Sequence, residues 1–332
     1  MNNKFFLKCS VIALLFILSG NAFSQPAELL ERARNADPEA QTELGYLYAV
    51  GEGVEQDFAR ALTWFGSATR QGYADAQYNY GNMFANGFGV EQSYEQALEW
   101  FLLAAAQHHM RAEFNLGFMY DNAQGVAQDY TKAAKWYQAA AEQGHSAAQN
   151  NLGVMYKYGY GMEQSYPEAL RWLKMSAEGG YPIGQFNYGA MFVNATGVEQ
   201  DFEEAAKWYQ LSADSGNLSA QYSLADMYLA GKGVTQSYAR AGLLYLLAAK
   251  QGHSEAQYNI GEMYAAGYGV EQNYLLGYMW SEISTRTASP FKLGLASRNR
   301  DSVGKVMTPE QIETAKDMAT RCLESHYRMC DL

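Results

Sequence analysis

Five histidines and three cysteines are the side chains of this 332-residue chain best suited to hold a metal or attack a substrate. His109, His145 and His253 are separated by whole multiples of 36 residues. Metal ligation requires ligands to converge within a few ångströms, whereas equivalent positions in stacked helical repeats lie about 10 Å apart, one helix-packing distance. The spacing therefore predicts surface histidines in linkers rather than a metal centre. His108 and His109 are adjacent, but no carboxylate or thiol stands beside them at ligand spacing. His326 lies between Cys322 and Cys330, where a Cys/His zinc clip would lack a fourth ligand. In an oxidising compartment those two cysteines are expected to form a disulfide. A continuous helix would hold them about 12 Å apart, so pairing requires the chain to turn back after Ser325. No G-x-S-x-G, no phosphate-cradling glycine loop ending in Lys-Ser/Thr and no H-E-x-x-H occurs in the sequence. The residues thus predict no catalytic group, no metal and no cofactor, and leave recognition as the chemistry on offer.

Asparagine and aromatic side chains recur in register. Each repeat is counted from position 1 at Ala40, Ala76, Ala112, Ala148, Gly184, Ala220 and Ala256. Position 4 then holds Asn79, Asn115, Asn151, Asn187 and Asn259; position 7 holds Tyr46, Asn82, Phe118, Asp226 and Glu262; position 11 holds Asn86, Asn122, Tyr158 and Asn194. On a helical wheel these fall opposite the apolar stripe. A carboxamide both donates and accepts, so a column of them can clamp the main chain of an extended peptide while aromatics take its side chains. At positions 3 and 4 two readings stay open, because packing between neighbouring repeats would also repeat one identity. Positions 7 and 11 vary between repeats and are expected to carry recognition.

A pair of helices per repeat must position these side chains. Seven blocks align without a gap at a shift of 36 residues, with Gln at position 2 except for Glu113, Gly at position 6 except for Ala225, and Gly and Gln throughout at positions 14 and 17. Positions 1, 5, 8, 9 and 12 fall within one arc of about 100°, which predicts a buried stripe. The segment GVEQDF at 53–58 and 197–202, with GVEQSY, GMEQSY and GVEQNY elsewhere, ends one helix and begins the next. Its glycine enters positive φ without a Cβ penalty. Position 18 (Asp57, Ser93, Asp129, Ser165, Asp201, Ser237, Asn273) supplies an N-cap. All six tryptophans occupy position 25, which assigns them to packing between helices. His108 replaces the usual glycine at position 33 and predicts a locally different turn.

The pattern A-Q-x-x-L-G-x-x-Y-x-x-G-x-G-V-x-Q resembles the Sel-1-like repeat, a relative of the tetratricopeptide repeat, over residues 27–287. The resemblance implies an all-α, right-handed superhelical solenoid of seven 36-residue helix-turn-helix repeats with terminal capping helices. It also implies a scaffold that holds a protein or peptide in a concave groove rather than an enzyme. The expected divisions are a capping helix at 25–39, repeats at 40–287 and capping helices at 288–332. Such caps disfavour filaments and favour a monomer. Cysteine-rich relatives linked to penicillin binding carry a Cys pair in every repeat; the repeats here hold none, which argues against activity on cell-wall or β-lactam substrates.

At the amino terminus, Lys4 and Lys8 precede an apolar run at 11–18, and Ala22 and Ser24 stand at −3 and −1 of a cleavage site before Gln25. This arrangement predicts a secretory signal peptide at 1–24 and a periplasmic or secreted protein. The run is too short to span a bilayer, and no other stretch approaches the required length. A formal charge of −11, from 24 Lys and Arg against 35 Asp and Glu, repels phosphate backbones and anionic headgroups. The expected partner is a protein or peptide, not nucleic acid or membrane.

Overall fold

The computed structural model describes residues 25–287 and 290–330. The expected signal peptide at 1–24 lies outside the described residues. Seventeen helices and no strand occur among the described residues. After α1 (Gln25–Arg34), each repeat contributes two helices: α2 (Pro38–Val50) and α3 (Phe58–Thr69), α4 (Ala74–Asn86) and α5 (Tyr94–Ala105), α6 (Met110–Asn122) and α7 (Tyr130–Glu142), α8 (Ser146–Tyr158) and α9 (Tyr166–Glu178). The series continues with α10 (Pro182–Val193) and α11 (Phe202–Asp214), α12 (Leu218–Ala230) and α13 (Tyr238–Ala249), α14 (Ser254–Ala266) and α15 (Tyr274–Thr287). Two further helices, α16 (Pro290–Gly304) and α17 (Pro309–Glu324), follow. The chain forms two compact units, one ending at His109 and one beginning at Met110. First helices start two residues ahead of position 1, so the expected boundary at residue 39 falls inside α2.

The loop segment does three jobs. The position-18 side chain accepts from the backbone N–H three residues on in every repeat, as Asp57 does from Arg60 and Asn273 from Leu276. The position-17 Gln, in every repeat, donates from Nε2 to the position-10 carbonyl of the helix just ended, at 2.7–2.9 Å. It thereby satisfies one of the orphan acceptors at that helix end. Position 12 is not part of the buried stripe: it is the left-handed residue at the end of the first helix, with φ from 50° at Ala195 to 76° at Gly51. The 100° wheel includes position 12 only if the helix continues through it, and the cap ends the helix first.

The two helices of a repeat pack through position 26, whose side chains are nearly or fully buried in both units, Phe65 and Phe101 in the first and Tyr137, Leu173, Tyr209 and Tyr245 in the second. Phe65, Phe101, Tyr137, Leu173 and Tyr209 each lie where a side chain on the position-6 glycine of the same repeat would start, whereas the sixth repeat accommodates Ala225 there. A Cβ on Gly117 would stand 2.6 Å from Tyr137 Cδ1. The glycine is therefore a packing requirement within the helix rather than a turn signal. Of the tryptophans, Trp172 and Trp280 are buried and the other four half-buried, with Trp100 edge-on to Tyr80 at 5.0 Å and Trp208 edge-on to Tyr188 at 5.3 Å. The turn at His108 is not locally different: its φ of 59° places it in the left-handed region occupied by Gly72 and Gly144.

In the second unit, α16 and α17 both pack on α15. Thr308 and Gln311 form the reciprocal two-bond capping box at the start of α17. Beyond Ser325, His326 and Tyr327 adopt positive φ and turn the chain back. The turn brings the Cα atoms of Cys322 and Cys330 to 4.7 Å, with their sulfurs bonded.

Candidate partner-binding face

The first helices of each unit present positions 4, 7 and 11 in three different ways. Position 11 is exposed at Asn86, Asn122, Tyr158 and Asn194, with Tyr158 54 % accessible. Each of these asparagines donates from Nδ2 to the carbonyl four residues back, Asn86 to Asn82, Asn122 to Phe118 and Asn194 to Ala190, at 2.8–2.9 Å. A donor of each carboxamide is engaged within its own helix, so the two-sided clamp expected from the sequence is reduced to the Oδ1 acceptor and the remaining N–H.

Position 7 is exposed at Tyr46 and Glu262 and half-buried at Asn82, Phe118 and Asp226. Both carboxylates accept from tyrosine hydroxyls at 2.5 Å, Asp226 from Tyr245 and Glu262 from Tyr258. Burial, followed by the neighbouring carboxylate, pushes the Tyr222 hydroxyl up to about 12, and burial likewise raises Tyr245 and Tyr258 above the ordinary tyrosine range. These phenols stay neutral donors throughout the physiological range.

Position 4 is half-buried at Asn79, Asn115, Asn151, Asn187 and Asn259. Asn187 donates to Asn150 at 2.7 Å, Asn151 hydrogen-bonds the Tyr137 hydroxyl, and Asn259 meets Tyr222 and Tyr245 of the preceding repeat. Three members of the column thus bridge neighbouring repeats.

Position 34 departs from expectation. His145 and His253 are not surface linker residues: each ring stacks on the position-3 aromatic of its own repeat, Phe114 at 4.4 Å and Tyr222 at 4.3 Å. Their Nδ1 atoms accept from Ala148 and Ala256 N–H, so each histidine caps the next first helix. Burial, with Arg111 adding to it, lowers the His145 pKa below its ordinary 6.5. His109 stacks on Tyr78 at 4.7 Å, and its Nε2 lies 2.9 Å from Asp75.

In the second unit, Asn259 and Glu262 come together in a cleft of 580 Å³ with Met263, Tyr238, Tyr268 and Tyr274, closed on one side by Asn299, Val303 and Val306 from α16 and the residues after it. The sequence indicated the first two and missed the rest. Tyr238 and Tyr274 are at position 19 and Tyr268 at position 13, loop-edge positions whose aromatic recurrence was the available signal. Nothing in the repeat register placed the α16 residues there. The edge exists because position 14 is glycine: a Cβ on Gly269 would stand 2.2 Å from the carbonyl carbon of Tyr238.

Among the described residues, no group of three or more His, Cys, Asp or Glu side chains comes together to hold a metal ion, and no helix is long and apolar enough to cross a membrane.

A family model described as the Sel1 repeat matches residues 38–73, 74–109, 111–145, 146–181, 182–217, 218–253 and 254–285. Curated proteins yield no match. Among solved structures, a Sel1 repeat protein from Oxalobacter formigenes is 31 % identical, with a TM-score of 0.66, over 75 % of this chain and 98 % of that one. A protective antigen present in uropathogenic Escherichia coli strains, displaying an SLR fold, is 26 % identical, with a TM-score of 0.56, over 90 % of this chain and 80 % of that one.

Proposed function

Since the chain belongs to the Sel1 repeat family, whose members are typically non-catalytic scaffolds for protein interactions, we propose that it is exported from the cytoplasm and captures a protein or peptide along the face made by its first helices. One observation carries this reading. Within single helices, position 1 and the position-5 residues Leu116, Leu152 and Leu224 are buried, while Asn122 and Tyr158 at position 11, on the same rigid elements, remain exposed. Packing between repeats consumes the first set and leaves the second for a ligand. Export is supported by the leader-like sequence at 1–24 and by the bond between Cys322 and Cys330, which an oxidising compartment favours.

The test is triple replacement of Asn122, Tyr158 and Asn194 by alanine, with a photo-crosslinker placed at Ala230, exposed at position 11 of the same unit, in intact cells. We expect loss of a specific crosslinked protein, with a melting temperature within a few degrees of wild type. Persistence of the crosslink would overturn the reading. A large fall in melting temperature would show instead that these side chains hold the fold.

The likeness to the protective antigen favours a second placement of the same face, outside the cell and against a host protein. Separating periplasm from culture medium distinguishes the two.

A further inference from the structure

We propose that the cleft between α14 and α16 seats a basic side chain, lysine or arginine, of the captured segment; this rests on the scaffold reading above and names the chemistry of its partner. The volume of 580 Å³ lies within the range of about 300–1,000 Å³ typical of small-ligand sites. It is therefore large enough for a long side chain and part of its backbone. Its walls divide by chemistry. Met263, Val303, Val306 and Leu229 are apolar and suit the methylene stem of Lys or Arg. Tyr268 and Tyr238, in tilted contact at 6.0 Å, and Tyr274 supply aromatic surface, and Glu262, one oxygen of which accepts from Tyr258, supplies a carboxylate.

Charge complementarity identifies the occupant. The chain carries a formal charge of −11, and no Lys or Arg lines the cleft. Elsewhere the protein covers its own aromatics with its own cations: Arg60 lies over Tyr48 at 5.3 Å, Lys157 over Tyr158 at 5.2 Å and Arg240 over Tyr228 at 5.3 Å. Among the described residues no such cation covers Tyr238, Tyr268 or Tyr274, although Tyr268 is 63 % exposed. Arg298 on α16 acts on Tyr258, whose hydroxyl donates to Glu262, and is not in the lining. Ring faces beside a carboxylate, with no internal cation over them, form a receptor for an external one.

Random heptapeptides displayed against the full-length protein test the inference. Enriched peptides are expected to share a Lys or Arg. For the arginine peptides, citrulline, which keeps the shape and removes the charge, should bind about three- to tenfold more weakly. Glu262→Gln and Tyr268→Ala, both at exposed positions, should each weaken binding of the basic peptide by about the same factor, Glu262→Gln without changing that of the citrulline form and Tyr268→Ala with a smaller loss for it. Peptides that bind the first-helix face, as shown by loss in the Asn122/Tyr158/Asn194 variant, but lack a basic residue would overturn this inference and leave the scaffold reading standing. Basic peptides indifferent to Glu262→Gln and Tyr268→Ala would do the same. No enrichment at all would overturn both.

Discussion

Ser215 occupies position 32, where Gln71, Gln107, Gln143 and Gln251 stand in other repeats. Each of those glutamines donates to the position-2 side chain of its own repeat, Gln71 to Gln41 at 3.0 Å and Gln251 to Gln221 at 2.8 Å, and Thr287 does the same for Gln257 at 2.6 Å. Five of the position-2 glutamines in turn donate back to a carbonyl of the preceding helix, as Gln41 does to Ala33, Gln185 to Ala177 and Gln257 to Ala249. Serine is too short to complete this ladder. Gln185 Oε1 is accordingly buried without a hydrogen-bond partner. A buried acceptor left unmade costs about 1–3 kcal/mol, and pairing it recovers about 1 kcal/mol net. Ser215→Gln should therefore stabilise the second unit by about 1 kcal/mol, read as a higher urea midpoint at unchanged m-value. An unchanged or lower midpoint would show that the side chain does not reach. The same residue-level view explains the polar lining: Asn86, Asn122 and Asn194 spend a donor on their own helix, which only coordinates could reveal.

At the scale of the helix, the caps set the response to pH. His145 accepts the Ala148 N–H through Nδ1, which requires that nitrogen to be unprotonated. Its pKa is lower in the fold than in the unfolded chain, so the unfolded state binds more protons below pH 6.5. The stability it contributes is complete above that value and is lost as pH falls through the folded pKa. Asn217 fills the same repeat position, caps Ala220 in the same way and does not titrate. On acidification from pH 7.5 to 5, wild type should lose more stability than His145→Asn, with the gap opening below pH 6.5; parallel curves from chemical denaturation would refute this. Much of this level is legible in the sequence, because a cap is a local event: Asp57 and Ser93 announce the second helices, and Gly51 and Gly87 end the first. What escapes is tertiary. Position 26 alternates among Phe, Tyr and Leu, so identity hides it, whereas burial against position 6 defines it. The histidine cap was hidden because aromatic stacking holds the ring, and Phe114 lies 31 residues away from His145. The cleft needed α16, which obeys no repeat register.

At the scale of the whole chain, stability is local, because within each unit a helical pair contacts its neighbours and little else. The disulfide joins Cys322 in the last turns of α17 to Cys330, eight positions further on, and loop entropy makes it worth about 2.5 kcal/mol. Replacing Cys322 and Cys330 by serine should therefore release α17 and, through it, α15, while leaving α2 to α5 unaffected. Hydrogen exchange distinguishes the outcomes: faster exchange confined to the last helices fits, and uniform acceleration from α1 onward does not.

The position-17 glutamine bonds the helix of its own repeat, the position-14 glycine meets position 19 of the repeat before it, and position 6 meets position 26 in the same hairpin. Within each unit these joints recur in the same register, so neighbouring cassettes carry largely matching ends. Loss or duplication of one whole period leaves no mismatched seam, while a slip of a single residue misaligns every joint beyond it. Inheritance can thus lengthen or shorten such a molecule in strides of a full cassette, varying how much ligand it spans without redesigning how it holds together.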